Sequence, residues 1–168
     1  MAVSGGPHAI ALIGPAGTGK TTVGQFLAAE IGARFVDADA AHAPESVEKM
    51  RRGEALTDAE RTPWLDRVRA MAMSALEAGE TVVVACSALR ETHRERLTQS
   101  DPRFVFVHLD VPPDVLARRL SERQNHFAGL TLLSSQLATF ERPHHAVVVD
   151  GRLPVDALVE AIRIALQL

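Results

Sequence analysis

The sequence predicts an α/β fold: a parallel five-stranded sheet sandwiched by helices, in one domain covering residues 1–168. Three observations carry that expectation. Short apolar runs alternate with amphipathic segments, the pattern of successive βαβ units. The runs are nearly uninterrupted by charge, as strands covered on both faces must be. A glycine-rich turn joins the first run to the first helical segment.

Each element follows in order. Residues 8–13 form the first strand. Residues 20–31 form the first helix, with Val23, Phe26, Leu27 and Ile31 at helical spacing and Gly32 as its stop. A short strand is expected at 34–37, and further strands, rich in Val and Phe, at 81–86, 104–109 and 146–150. The last helix begins near Pro154 and sets Val155, Leu158, Val159, Ile162 and Leu166 on one face. Pro63 suits the first turn of a helix with Thr62 as its N-cap, and Trp64 reads as a core anchor. Two polar segments, about 38–65 and about 118–142, are longer than ordinary connections. In an α/β sheet such insertions are where substrates are usually gripped.

With 168 residues, 46% of them hydrophobic, the chain can bury one real core. A net charge of −3 argues against a nucleic-acid partner held by bulk positive charge. Cys86 is the single cysteine, which excludes a disulfide framework and a cysteine-rich zinc site. The seven histidines show no metal-ligand spacing. No apolar run approaches a membrane span, and the first residues lack the features of a signal peptide. No membrane partner and a cytoplasmic location are expected.

Gly14-Pro-Ala-Gly-Thr-Gly-Lys-Thr21 matches G-x-x-x-x-G-K-[ST] between a strand and a helix. Its glycines let several N–H groups point inward, and the helix behind adds its positive N-terminal end. Gly14, Ala16, Gly17, Thr18, Gly19, Lys20, Thr21 and Thr22 are therefore expected to bind ATP. Lys20 is placed for the β- and γ-phosphates and the Thr21 hydroxyl for Mg²⁺. Asp37 and Asp39 end the second strand beside this loop. One of these carboxylates can help hold Mg²⁺ through water, and the other can accept a hydrogen bond or proton from a substrate hydroxyl.

Phe35-Val-Asp-Ala-Asp39-Ala-Ala-His42, Glu48-Lys-Met50, Gly53 and Leu56-Thr-Asp58-Ala-Glu-Arg61-Thr-Pro63-Trp64-Leu65 follow in order. They resemble the gluconokinase family's F-x-D-G-D-x-L-H-P, E-K-M and x-G-x-P-L-x-D-x-D-R-x-P-W-L. Cys86-Ser-Ala-Leu89 with Arg94 is similar to its C-S-A-L-K-x-x-Y-R. Arg119-Leu120, Arg123, His126-Phe127, Leu132-Leu133 and Ser135-Gln136 are similar to R-L-x-x-R-x-x-H-F and L-L-x-S-Q. The departures are Ala38 for glycine, Ala43 for proline, Ser46 for asparagine, Glu60 for aspartate and His93 for tyrosine.

The resemblance implies a P-loop kinase that phosphorylates D-gluconate to 6-phosphogluconate with ATP and Mg²⁺, by direct in-line transfer, and works as a homodimer. Gluconate needs a cation for its carboxylate, for which Arg61 and Arg94 are candidates, and a carboxylate near its attacking hydroxyl, for which Asp39 is chosen as the catalytic group, leaving Asp37 to the metal. His42 can contact the sugar acid or make a hydrogen bond within its own loop. Arg119 and Arg123 are expected in a lid that closes over ATP and neutralises the transferring phosphoryl group.

Two alternatives stand beside this. A kinase of the same fold could act on shikimate, another small hydroxy acid or a nucleoside monophosphate; shikimate kinases share the P-loop and D-x-D but carry a glycine triplet where this chain has Cys86-Ser-Ala-Leu89. A nucleotide-dependent regulatory protein would use the P-loop as a switch, yet no guanine-reading N-K-x-D is present.

Overall fold

The computed structural model describes residues 5–122 and 126–168, with only the helical backbone at 126–128. Five strands run β1 (Ala9–Ile13), β2 (Arg34–Asp37), β3 (Val82–Ala85), β4 (Phe104–Asp110) and β5 (Val147–Asp150). They pair in the order β2-β3-β1-β4-β5, all parallel. Helix α1 (Lys20–Ile31) follows β1. After β2 come a 3₁₀ turn (Ala38–Ala41), α2 (Pro44–Arg51) and α3 (Asp58–Glu77). Helices α4 (Glu91–Thr98), α5 (Pro113–Ser121), α6 (His126–Thr139) and α7 (Val155–Leu166) complete the chain.

Strand β1 explains the layering. Its residues alternate between two cores, so all five are buried. Ala9, Ala11 and Ile13 face Trp64, Leu65, Val68 and Ala72 of α3. Ile10 and Leu12 face Val23 and Leu27 of α1 and Leu158 and Ile162 of α7. Helix α1 lies unusually close to the sheet: a Cβ on Gly24 would stand 2.7 Å from the Phe35 ring. A third, smaller cluster joins Leu116 and Leu120 of α5 to Leu133 of α6, so the lid segment packs on a core of its own.

The direction of the crossovers reverses at β1: from β1 the chain steps outward to β2, and from β3 it crosses back to β4 on the other side of β1. The crevice at the carboxyl ends of such strands is where ligands bind in open α/β sheets. The glycine-rich loop opens into it.

The strands at 8–13, 81–86 and 146–150 begin or end a residue inside the expected limits, and β4 runs one residue further. A larger correction concerns α3. It starts at Asp58, not after Thr62: Thr57 and Glu60 form a capping box, with Glu60 N–H donating to Thr57 Oγ1 (3.3 Å) and Thr57 N–H to Glu60 Oε2 (2.7 Å). Pro63 sits in the second turn, where its missing N–H removes one intrahelical bond. The segment at 38–65 therefore consists of the 3₁₀ turn, α2 and the first turns of α3. The segment at 118–142 consists of the end of α5, α6 and the strap leading to β5.

Candidate active site

Gly19 caps α1 in the left-handed region (φ 93°), which lets the loop turn directly into the helix. The first turn of α1 has no acidic residue, so its positive end is not compensated locally. The Lys20 ammonium lies along the loop and donates to Gly14 O and Pro15 O, both at 2.8 Å, and to Thr18 Oγ1 at 3.3 Å. Gly14 N–H donates to Ser87 O (3.3 Å), which joins the phosphate loop to the Cys86–Leu89 loop after β3. Ala16 N–H donates to Gln136 Oε1 (2.7 Å), which joins it to α6.

Thr21 and Asp37 meet at 3.3 Å, hydroxyl to carboxylate. Both are hard oxygen donors suited to Mg²⁺. Among the described residues no group of three or more His, Cys, Asp or Glu could cage a metal. The pair therefore fits an ion that arrives largely coordinated by nucleotide phosphates and water.

The other Asp37 oxygen accepts from Asp39 N–H (3.0 Å) and starts the 3₁₀ turn. Helix α3 grips the same turn twice. Trp64 Nε1–H donates to Ala38 O (2.6 Å), and Arg67 Nε–H donates to Ala41 O (2.8 Å). Asp39 is thus presented from a backbone held at both ends. The protein packed around it lifts its carboxyl above the usual aspartate range, while Lys20 pulls the other way, Asp37 adds to the lift and Arg61 opposes it. Its side chain is still 80% accessible, so water in the open cleft offsets much of that lift.

His42 lies behind Asp39, stacked on Trp64 with centroids 4.3 Å apart and planes 10° off parallel. Its side chain is 3% exposed, and burial, helped by Arg61 and Arg67, pushes its pKa down to about 4. Nε2 stands 3.9 Å from Asp39 Oδ1, and Nδ1 is buried with no hydrogen-bond partner among the described residues. A neutral imidazole at this place packs the loop and faces the rear of the carboxylate. Cys86 is fully buried, and its thiol is pushed up to about 12, so it is inert at neutral pH.

The two acceptor-side arginines differ. Arg61 is 6% exposed, and among the described residues its guanidinium makes a single hydrogen bond, from Nε to Leu56 O (3.3 Å). It reaches a cavity of about 230 Å³ between the starts of α3 and α4 and the end of α6. Arg94 is 2% exposed, and its guanidinium is engaged by Glu91 Oε2 (2.7 and 3.1 Å), Ala88 O (2.8 Å) and Glu141 O (3.0 Å). It pins Ala88, which has a left-handed φ of 36°, and the end of the lid strap. Arg94 does not line that cavity.

On the far side of the phosphate loop a cleft of about 430 Å³ is lined by Gly17, Thr22, Arg119, Gly151, Leu153 and Val155, among others. Arg119, at the end of α5, donates to Gly17 O (3.4 Å) and Gly151 O (2.9 Å). Arg123 lies outside the described residues. Lys20, Thr21, Asp37, Asp39 and Arg61 therefore converge on one crevice, with Arg119 across the loop from the acceptor side.

Three arrangements lie beyond sequence reasoning: the Trp64 bond to Ala38, the Gln136 bond to Ala16, and the group of Asp58, Arg90 and His93. The capping pattern Thr57-x-x-Glu60 was a usable signal, because it fixes which way Asp58 and Arg61 project.

A family model described as an AAA domain matches residues 10–143. The chain is 41% identical over 159 residues to a gluconokinase of Gluconobacter oxydans, covering 93% of this chain and 89% of that protein. The crystal structure of a sugar kinase from a Janibacter species superposes with a TM-score of 0.86 at 38% identity, covering 94% of this chain and 93% of that one. That of a gluconokinase from Sinorhizobium meliloti gives 0.81 at 38% identity, covering 92% and 89%.

Proposed function

The chain belongs to the gluconokinase family of P-loop kinases, and from that premise we propose that it transfers the γ-phosphoryl group of ATP to the primary hydroxyl of D-gluconate, giving 6-phosphogluconate. The observation that carries the acceptor side is the pairing of a presented carboxylate, Asp39, with a buried, underpartnered cation, Arg61. That pairing suits a small acceptor with a hydroxyl at one end and an anion at the other.

Roles follow from position. The loop N–H groups and the N-terminus of α1 hold the phosphates, and the Lys20 ammonium exchanges loop carbonyls for β- and γ-phosphate oxygens. Thr21 and Asp37 would hold Mg²⁺, which when bound neutralises phosphate charge. Asp39 accepts a hydrogen bond from the attacking hydroxyl and takes its proton as transfer proceeds. The nucleoside occupies the cleft between Arg119 and the loop 151–155. Arg119, with Arg123, covers the phosphates when the lid closes and excludes water. A homodimer in the cytoplasm completes the proposal.

A coupled assay of ADP release tests it, with Mg-ATP alone and then with gluconate, shikimate and nucleoside monophosphates. Stimulation by gluconate is expected. Silence with gluconate and turnover of another acceptor would overturn the substrate, and silence with all would favour the regulatory reading.

A further inference from the structure

The cavity beside Arg61 is more than a continuation of the crevice. Its wall holds Arg61, Arg90, Asp58, His93 and Gln136, drawn from α3, the start of α4 and α6. These groups are ordered by one another. Arg90 Nη1 donates to Asp58 Oδ2 (2.7 Å), and His93 Nε2 lies 3.2 Å from Asp58 Oδ1. His93 Nδ1 accepts from Arg90 N–H at 3.4 Å. An imidazole that accepts at Nδ1 must carry its proton at Nε2, where it donates to Asp58. His93 is therefore a neutral strut, consistent with its pKa lying below the ordinary value because of burial. Asp58 stays ionised, held below the usual carboxylate range first by the His93 hydrogen bond.

The charge count leaves two guanidinium groups against one carboxylate, an excess of one positive charge in a small half-enclosed space. Gln136 adds direction. Its Oε1 is occupied by Ala16 N–H, so its amide N–H₂ must be the free end of the side chain, and it lines the cavity. Arg61, Arg90 and Gln136 thus bring side-chain donors to this lining. Arg61 also ties the cavity to the reaction centre, since its charge is felt by Asp39 on one side and by Asp58 and His93 on the other.

We propose that this cavity is the subsite for the acceptor's carboxylate, with Arg61 and Arg90 as its charged donors, the Gln136 amide as its neutral donor, and Asp58 with His93 as the frame that aims Arg90. The assignment rests on the gluconate reading and moves the carboxylate away from Arg94, whose donors are taken up by Glu91, Ala88 and Glu141. It also places the substrate directly between the insertion and α6, so the acceptor's anion helps draw the lid helix onto the phosphate loop.

Steady-state kinetics and calorimetry on wild type, Arg90→Ala and Arg90→Lys test it, with thermal melts to establish folding. Glucitol, which keeps the primary alcohol and carries a second one in place of the carboxylate, is the neutral comparison ligand. In Arg90→Ala, gluconate KM and Kd are expected to rise about 10- to 100-fold, with a smaller rise in Arg90→Lys. KM for ATP and the weak binding of glucitol are expected to stay within about twofold of wild type, on the same reasoning. Gln136→Glu keeps an oxygen for Ala16 but puts a negative charge in the cavity, and should weaken gluconate and spare glucitol in the same way. The subsite is overturned if gluconate affinity in folded Arg90→Ala is unchanged, or if glucitol weakens equally. A wild-type enzyme with no gluconate-dependent ADP release is a separate outcome, which sinks the substrate assignment itself.

Discussion

The indole N–H of Trp64 donates to the carbonyl of Ala38 at 2.6 Å, across 26 positions of sequence, and Ala38 is the residue between the two strand-end aspartates. A side chain in the core of α3 thus sets the height at which Asp39 leaves β2. Trp64→Phe keeps an aromatic surface under His42 but leaves a buried carbonyl without its donor. It should cost about 1–3 kcal/mol of stability. Because Asp39 is then less well placed, kcat should fall about 10- to 100-fold with KM for ATP little changed. Urea unfolding and steady-state kinetics read the two effects separately. An unchanged kcat in folded protein would reduce Trp64 to packing alone.

Asp39→Asn removes the proton acceptor without altering the phosphate loop. Turnover should drop by about 100-fold or more, as for loss of a positioned general base, while ATP binding measured by calorimetry stays near normal. Lost ATP affinity would instead place Asp39 on the metal side. In the wild type, activity requires the ionised form, so kcat/KM should decline as pH falls through a pKa raised above 3.8. The same shift has the opposite sign for stability. The folded state holds this proton more tightly than the unfolded chain, so ionisation costs stability as pH rises through the folded pKa. Asp39→Asn should therefore melt slightly higher than wild type at neutral pH.

His42 gives a second pH signature. Unfolded, its imidazole titrates near 6.5; folded, burial holds it neutral down to about 4. Below 6.5 the unfolded state takes up the proton first, so stability is lost as pH falls from 6.5 towards 4. The loss is on the order of 3 kcal/mol at most. In His42→Gln the stability profile over that window should be flatter, by chemical denaturation at a series of pH values. Identical slopes would show that another group carries the titration.

How much of this was legible in the sequence depends on the range of the interaction. The strands are legible because burial on both faces leaves continuous apolar runs, and the phosphate loop because its function is local to eight residues. Asp37 and Asp39 are legible because a strand end beside that loop has few other uses. Helix α3 was misplaced by five residues because Pro63 imitates a first-turn proline, while the Thr57–Glu60 box was the truer start. Trp64 on Ala38, Gln136 on Ala16, and Asp58 on Arg90 and His93 join residues 26 to 120 positions apart. No periodicity encodes such pairs; they exist only once the insertion and α6 fold over the sheet. Arg94 shows the converse: its position in a specific motif suggested substrate contact, and its hydrogen bonds go to the protein.

Arg94→Met turns that observation into a separable prediction. The arginine alone spans Glu91, the Ala88 carbonyl and the Glu141 carbonyl, from a position 2% exposed. Methionine fills comparable volume but leaves two carbonyls and a carboxylate without their donor, which should cost about 2–4 kcal/mol. Ala88 then loses the bond that holds its left-handed backbone, and the strap at Glu141 loosens from α4. The expected result is a lower urea midpoint with gluconate KM in the folded protein changed far less than in Arg90→Ala. The reverse pattern, native stability with gluconate affinity lost, would return Arg94 to the substrate. Comparing the two arginines in one assay therefore separates the residue that holds the loop from the residue that holds the ligand.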